Sequence, residues 1–513
     1  MSSTANRVIK NTGFLYAKMG ITMFISLYTT RLILNSLGAS DFGIYNIVGG
    51  SIALLGFLNS AMASASQRFM SYTEGQGDQE KLKNIFNISF VIHTAISLFA
   101  ILAFIVAGYF FFNGILNLPA GRTQAAIIVY GSMIISTAFS MMSVPYEAVM
   151  NAHENMKYYS LIGIFESCLK LLIAYITVYT PIDKLVVYGI LMALIPLISL
   201  TIMRIYCHRK YPECIIAPQK YFRKDLMKEM TSFAGWGFCS STSSLLTMQG
   251  MAILLNMFGG VIANTAHGIA NQLSGQLMVF SNNMLKALNP VLVKSQGAGD
   301  TSKMLKAAST GNKLSFLIYT FFAIPFIVEC PFILKIWLKN IPDYAILFVR
   351  LVLIRQMITQ MMVTLETCIS ATGKIAKFTM CSSIIWLSPL IISYILYKHN
   401  YPIETIYIVL IFTAFMRVIN ALYFCKILCK LNPVSYITGT FIPCIIQGFT
   451  MFFILYLIQI IIKDTSWARL FITIALTIIM HPLFAYYISL NKSEKGIVNT
   501  GITKIKSKLH IIK

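Results

Sequence analysis

Gly75-Gln76-Gly77-Asp78-Gln79-Glu80-Lys81 returns 222 residues later as Gly297-Ala298-Gly299-Asp300-Thr301-Ser302-Lys303. Upstream at the same offset, Gly38, Ile47, Met62 and Ala65 match Gly260, Ile269, Met284 and Ala287. After a four-residue insertion, Ile88-Ser89-Phe90-Val91-Ile92-His93-Thr94 lines up with Leu314-Ser315-Phe316-Leu317-Ile318-Tyr319-Thr320. Each G-x-G-D stretch reads as a turn between helices, with glycine ending one helix and aspartate capping the next. Phosphate binding is the weaker reading of a lone G-x-G.

The residues around the two copies define the solvent they occupy. Of 513 residues, 57% are hydrophobic and 12% charged, and the mean hydropathy is +0.71; soluble domains carry about a quarter charged residues. The net charge of +23 would suggest nucleic acid as the partner of a soluble protein. In a chain this apolar it points to basic loops beside a membrane, and nucleic acid is not expected.

A bilayer core of about 30 Å takes about 20 helical residues to cross. Fourteen stretches meet that requirement: 12–36, 42–65, 84–112, 123–145, 158–180, 184–206, 231–257, 263–289, 310–334, 344–371, 375–397, 403–425, 436–462 and 467–490. The expected fold is an all-α integral membrane protein of about 14 transmembrane helices. Residues 1–10 are polar and lead into the first span without a cleavable-signal pattern, so that span is expected to stay. The ten cysteines include no C-x-x-C pair. Reduced structural thiols are expected, with no metal site and no cofactor.

With both termini placed inside, 27 of the 41 Lys and Arg residues fall on the internal side, 7 outside and 7 within spans. Basic residues are retained on the cytoplasmic face, and one miscounted span would invert every later loop and erase this contrast. The repeat pairs span two with span eight and span three with span nine. A shift of six spans preserves orientation, so the halves are expected to be parallel, pseudo-symmetric lobes of the kind that bind a substrate between them. The expected organisation is an N-terminal lobe at 1–206 and a basic cytoplasmic linker at 207–230. A C-terminal lobe at 231–430, two further spans at 431–490 and a basic cytoplasmic tail at 491–513 follow. That tail alternates with Ile and Leu and reads either as an amphipathic helix on the anionic leaflet or as a solvated segment.

Basic residues at membrane depth are Lys18, Arg31, Lys170, Lys286, Arg350, Arg355 and Arg417. Each is expensive in hydrocarbon and is expected to face the bundle interior, a wet cavity or a partner. Lys18, Lys286 and Arg350 lie close enough to span ends to snorkel. Lys170 follows Glu166 by four residues and is expected to pair with it; Arg355 shares a helix face with Glu366, while Arg31 and Arg417 have no local partner. Spans seven and eight are rich in polar residues such as Gln249, His267 and Asn271, which suit a cavity lining. Deep acids number three, Glu166, Glu329 and Glu366, so the cavity should be net positive and suit an anion. Short outer connections with few carboxylates argue against an enzyme.

The run Arg31-Leu32-Ile33-Leu34-Asn35-Ser36-Leu37-Gly38-Ala39-Ser40-Asp41-Phe42-Gly43-Ile44-Tyr45, with its counterpart around Gly259-Gly260, Asn264, Gly268 and Asn271, resembles the multidrug/oligosaccharidyl-lipid/polysaccharide (MOP) exporter superfamily, with its MATE-like fold. Within it the pattern looks like the Wzx-type flippases of O-antigen and capsule synthesis. The resemblance implies a cavity between lobes lined by spans one, two, seven and eight, working by alternating access in the bacterial cytoplasmic (inner) membrane. It implies translocation of an undecaprenyl-diphosphate-linked oligosaccharide repeat unit, with polysaccharide polymerase and glycosyltransferases as partners beside membrane lipids. Candidate substrate-binding residues are Lys18, Arg31, Lys286, Arg355, Arg417, Gln249 and Asn271. Glu166 and Glu366 are candidates for Na+ or H+ coupling. The alternatives are a multidrug or cation antiporter of the same fold and a lipid II-type flippase.

Overall fold

The computed structural model describes residues 2–53, 56–115, 119, 121–338, 340–496, 498–499 and 503. Seventeen α-helices follow one another, with no strand among the described residues: α1 (Ser2–Ala53), α2 (Gly56–Gln76), α3 (Gln79–Phe110), α4 (Thr123–Ala152), α5 (Met156–Tyr179), α6 (Lys184–Lys210), α7 (Pro218–Tyr221), α8 (Lys224–Gly297), α9 (Thr301–Val328), α10 (Cys330–Trp337), α11 (Ala345–Gln360), α12 (Val363–Thr372), α13 (Ala376–Lys398), α14 (Thr405–Cys429), α15 (Pro433–Tyr436), α16 (Ile442–Ile461) and α17 (Trp467–Phe484). Helices are what lipid permits, because they satisfy every backbone polar group within the segment.

Ten helices among the described residues are long and apolar enough to cross a membrane, or eleven when α11 and α12 are taken as one bent span. The sequence expectation was about fourteen. Part of the difference is α8, which enters the count once although it carries both expected spans 231–257 and 263–289. Its helical backbone is interrupted at Gly260, at φ 68° and ψ −169°. The same interruption divides α1 at Gly38, at φ 73° and ψ 171°. An L-residue side chain clashes in this positive-φ, extended region, which belongs almost wholly to glycine. The repeat thus places one backbone device at matching positions of both halves.

The G-x-G-D turns behave as expected. Asp78 accepts a hydrogen bond from the Lys81 N–H at 2.9 Å and Asp300 from the Lys303 N–H at 2.9 Å, capping α3 and α9.

The chain divides into two compact units. The N-terminal unit comprises Lys10–Phe238 with Val293–Gly299; the C-terminal unit comprises Met1–Ile9, Cys239–Leu292 and Asp300–Lys513. The boundary falls inside α8 rather than in the 207–230 linker, and the last two spans belong to the C-terminal unit. Linker residues are held to α3: Asn87 donates to the Ile215 carbonyl at 2.8 Å and accepts from the Ala217 N–H at 2.8 Å.

Ion pairs mark the two ends of the N-terminal unit. At one end Arg122, before α4, bonds Asp41 on α1 and donates to Asp183 at 2.6 Å. At the other, Glu74 accepts from Lys294 at 3.1 Å, while His153 lies 3.4 Å from Glu74 and 2.5 Å from Glu213. Alternate connections therefore meet at alternate ends, the up-and-down order expected from the sequence. Partial burial raises the Asp183 carboxyl, but bonds from Arg122 and from the Val186 and Leu185 N–H groups outweigh it and hold it below its usual 3.8. A depressed carboxyl stabilises the fold at neutral pH, and that contribution is lost as pH falls through and below 3.8.

At the second end two helices cross with glycine at the contact. A Cβ on Gly75 would lie 2.1 Å from the Lys294 carbonyl oxygen, and one on Gly297 would lie 1.9 Å from that of Tyr72. Both pairs obey the 222-residue offset, so the crossing is itself pseudo-symmetric. Backbone cannot give way as a flexible side chain does. Gly75→Ala and Gly297→Ala are therefore expected to destabilise by about 1–3 kcal/mol, the usual range for overpacking. Gly13→Ala, where no heavy atom lies within 4 Å, should leave the thermal unfolding midpoint unchanged.

Candidate functional site

The cationic site of the C-terminal unit begins with a broken helix. α11 and α12 are bent by 41° relative to one another. The backbone groups freed at the break are taken up by α9: Asn312 Nδ2 donates to the Met361 carbonyl at 3.0 Å, and its Oδ1 accepts from the Thr364 N–H at 3.0 Å. The Tyr436 hydroxyl also donates to the Met361 carbonyl. Thr364 Oγ1 donates to the Ala308 carbonyl at 2.7 Å. In hydrocarbon such substitutes are what makes a broken helix tolerable.

The bend decides the charge pairing. On a straight helix Arg355 and Glu366 would share a face. Here Glu366 instead accepts from Arg417 of α14 at 2.9 Å, and the Arg417 guanidinium lies 4.1 Å from the centre of the Trp386 ring on α13. Arg417 thus has two partners that the sequence did not disclose. Arg355 remains on α11, within electrostatic reach of His267, Tyr319, Tyr407 and Arg417. Its side chain is part-exposed overall, yet its Nε is fully buried and has no acceptor; Arg417 Nε is in the same position. Arginine cannot relieve this by losing its proton.

A polar chain runs beside Arg355. Asn271 Nδ2 donates to His267 Nε2 at 2.9 Å, and His267 Nδ1 stands 2.7 Å from the Tyr407 hydroxyl. With Nε2 accepting, the ring proton sits on Nδ1 and is donated to Tyr407, whose own proton is left for a further acceptor.

Lys18 belongs to a separate cluster in the N-terminal unit. It is seated on Gly163, where a Cβ would lie 2.2 Å from Lys18 Cε, and its Nζ is 4.3 Å from the centre of the Tyr159 ring. Tyr159 also feels Glu147 and Glu166, and Ser143 donates to Glu147 at 3.2 Å. This cluster holds as many acids as the other holds bases. The expected Glu166–Lys170 pair is absent among the described residues, and Lys170 is exposed; Glu166 sits in the field of Tyr159 instead.

The remaining sequence candidates do not join either cluster. Arg31 and Gln249 are exposed on their units, and Lys286 is part-buried on α8. Arg350 donates from Nε to the Ile327 carbonyl at 3.0 Å. Glu329, expected as one of three deep acids, is paired with Arg469 at 2.8 Å. Of the candidates, Arg355, Arg417, Asn271 and Glu366 come together. His267 was visible only as one polar residue among many, and Glu147 was hidden because α4 continues past the apolar stretch at 123–145 to Ala152.

The fold carrying these clusters is that of the MATE family transporters of the MOP superfamily. An outward-facing multidrug resistance MATE family transporter superposes with a TM-score of 0.71 at 12% identity, over 83% of this chain and 96% of the other. A MATE protein in the bent conformation gives 0.69 at 13% identity, over 84% and 96%. A MOP superfamily transporter from Pyrococcus furiosus Vc1 (DSM3638), described by a reverse polarity of its binding pocket that suggests a different function, gives 0.67 at 12% identity, over 84% and 96%. No protein-family model and no curated protein matches the sequence.

Proposed function

We propose that this chain is a MOP-fold exporter of an anionic, lipid-linked oligosaccharide repeat unit, moved from the cytoplasmic to the outer leaflet by alternating access. The observation that carries the reading is the charge balance of this cluster in the C-terminal unit, where Arg355 and Arg417 lie in one another's field and, among the described residues, only Arg417 has a carboxylate partner, Glu366. A site of that sign attracts anions and repels the cations that a drug or cation antiporter of this fold would carry. The Pyrococcus furiosus transporter, with its reverse polarity of binding pocket, supports the idea that one fold serves cargoes of different charge.

In this reading the basic loop ends and tail are cytoplasmic, and Arg355, with Arg417 beside it, receives the anionic part of the cargo. Coupling to Na+ or H+ is assigned to Glu166, with Glu147, Lys18 and Tyr159 around it; Glu366 is already engaged by Arg417. The test is genetic. Deleting the gene in its host should leave lipid-linked repeat units on the inner leaflet, and re-expression should clear them. Unchanged surface glycan and no accumulation would refute the reading.

A further inference from the structure

Among the described residues the charges of the C-terminal cluster do not cancel. Glu366 neutralises Arg417, but no carboxylate of the described chain forms an ion pair with Arg355, whose buried Nε has no acceptor. A guanidinium at membrane depth without a counter-charge is costly to hold. The polar neighbours that could answer it are neutral: the buried Tyr319 hydroxyl, itself without a partner, and a chain of groups already bonded to one another. Asn271 is committed to His267, and His267 to Tyr407. Arg417 adds a second positive field. What these groups jointly present is a guanidinium edge and two hydroxyls with protons to give, those of Tyr407 and Tyr319.

We propose that the C-terminal unit holds a compact monovalent anion at membrane depth, bound by the Arg355 guanidinium and the Tyr407 hydroxyl. The charge count selects the valence. Two guanidinium groups, one carboxylate and one monovalent anion are neutral, so a single negative charge is the complement of the cluster when no cargo is present. The surroundings favour a small ion that sheds water readily, since Val352, Leu353 and Phe348 beside the cluster are fully buried. The Asn271–His267–Tyr407 chain aligns the hydroxyl by donating into its oxygen, and charge-assisted bonds of this kind are about twice as strong as neutral ones. The inference concerns the protein without cargo, so it stands on this charge balance and not on what is exported.

The test uses the purified full-length protein in detergent, without cargo, with chloride replacing gluconate at constant ionic strength. Radiolabelled chloride should bind saturably, one per chain, and chloride should raise the thermal unfolding midpoint as any native-state ligand does. Arg355→Gln should weaken chloride binding by about ten- to a hundredfold, the loss expected for one charge-assisted bond, while Arg31→Gln should leave it intact. Where Arg355→Gln does not fold, Tyr407→Phe, which removes only the donated proton, should still weaken it severalfold. No saturable chloride binding over gluconate, or wild-type affinity in Arg355→Gln or in Tyr407→Phe, would overturn the proposal. An exporter of other cargo could still bind chloride here, and an anion exporter could lack this site, so the two readings fail separately.

Discussion

Arg355→Gln is expected to lower the initial rate of export of an anionic lipid-linked substrate by about ten- to a hundredfold, the loss that follows when a charge-assisted contact to an anion is removed. The residue is singled out by its buried Nε without an acceptor, which leaves its binding capacity for a ligand rather than for the fold. Replacing a part-exposed, unpaired charge by a neutral amide should not destabilise the protein, and with gluconate as the anion the unfolding midpoint should stay or rise. Arg355→Lys keeps the charge but not the planar donor edge, so partial activity is expected. Arg417→Gln should behave differently. It strips Glu366 of its partner, turns the site negative if Arg355 is also replaced, and should lower both export and stability. Rates measured in reconstituted vesicles, alongside unfolding midpoints, separate the two cases.

The second large effect is one of stability. Glu329 and Arg469 are 0% and 2% exposed and bonded through both carboxylate oxygens, at 3.0, 3.1 and 2.8 Å. Thr473 donates to the same carboxylate at 3.1 Å, and Arg469 donates to the Ile462 and Lys463 carbonyls at 3.2 and 3.3 Å. Removing one partner of such a pair leaves a buried, uncompensated charge and typically costs about 3–5 kcal/mol. Glu329→Ala is therefore expected to lower the unfolding midpoint sharply. The double variant Glu329→Ala with Arg469→Leu should recover much of the loss, because an apolar replacement of both partners removes the desolvation problem. A double-mutant cycle on thermal unfolding measures the coupling. Additive effects would mean that the pair contributes no specific interaction.

The parts of this architecture that depend on short-range chemistry were legible in the sequence. The G-x-G-D turns carry the helix caps that Asp78 and Asp300 were expected to provide, and the match of Gly38 with Gly260 coincides with the two interruptions of α1 and α8. The alternation of ends within the N-terminal unit followed from the order of spans. The charge pairs were not legible, because each depends on where helices meet. Glu329 and Arg469 are 140 residues apart and Lys313 and Glu494 are 181 apart. Helical spacing also misled at two pairs. The alignment of Arg355 with Glu366 assumes a straight helix, and the 41° bend before Val363 removes it. A helix can break there only because Asn312, distant in sequence, takes up the freed Met361 and Thr364 groups. Glu166 and Lys170 satisfy the spacing rule for a pair, yet Glu166 lies in the field of Tyr159 and Lys170 is exposed. The tail at 491–513, for which two readings were open, is described only at 491–496, 498–499 and 503, and the rest lies outside the described residues.

The central claim is the sign of the cargo, and one competition measures it directly. Vesicles containing the purified protein are given a fluorescent anionic lipid-linked oligosaccharide and, separately, a lipophilic cationic dye, with transfer followed for the wild type and for Arg355→Gln. The account predicts that the wild type moves the anionic lipid, that Arg355→Gln moves it at least about tenfold more slowly, and that neither moves the dye. Transport of the dye by both proteins, with the anionic lipid left in its original leaflet, would contradict it.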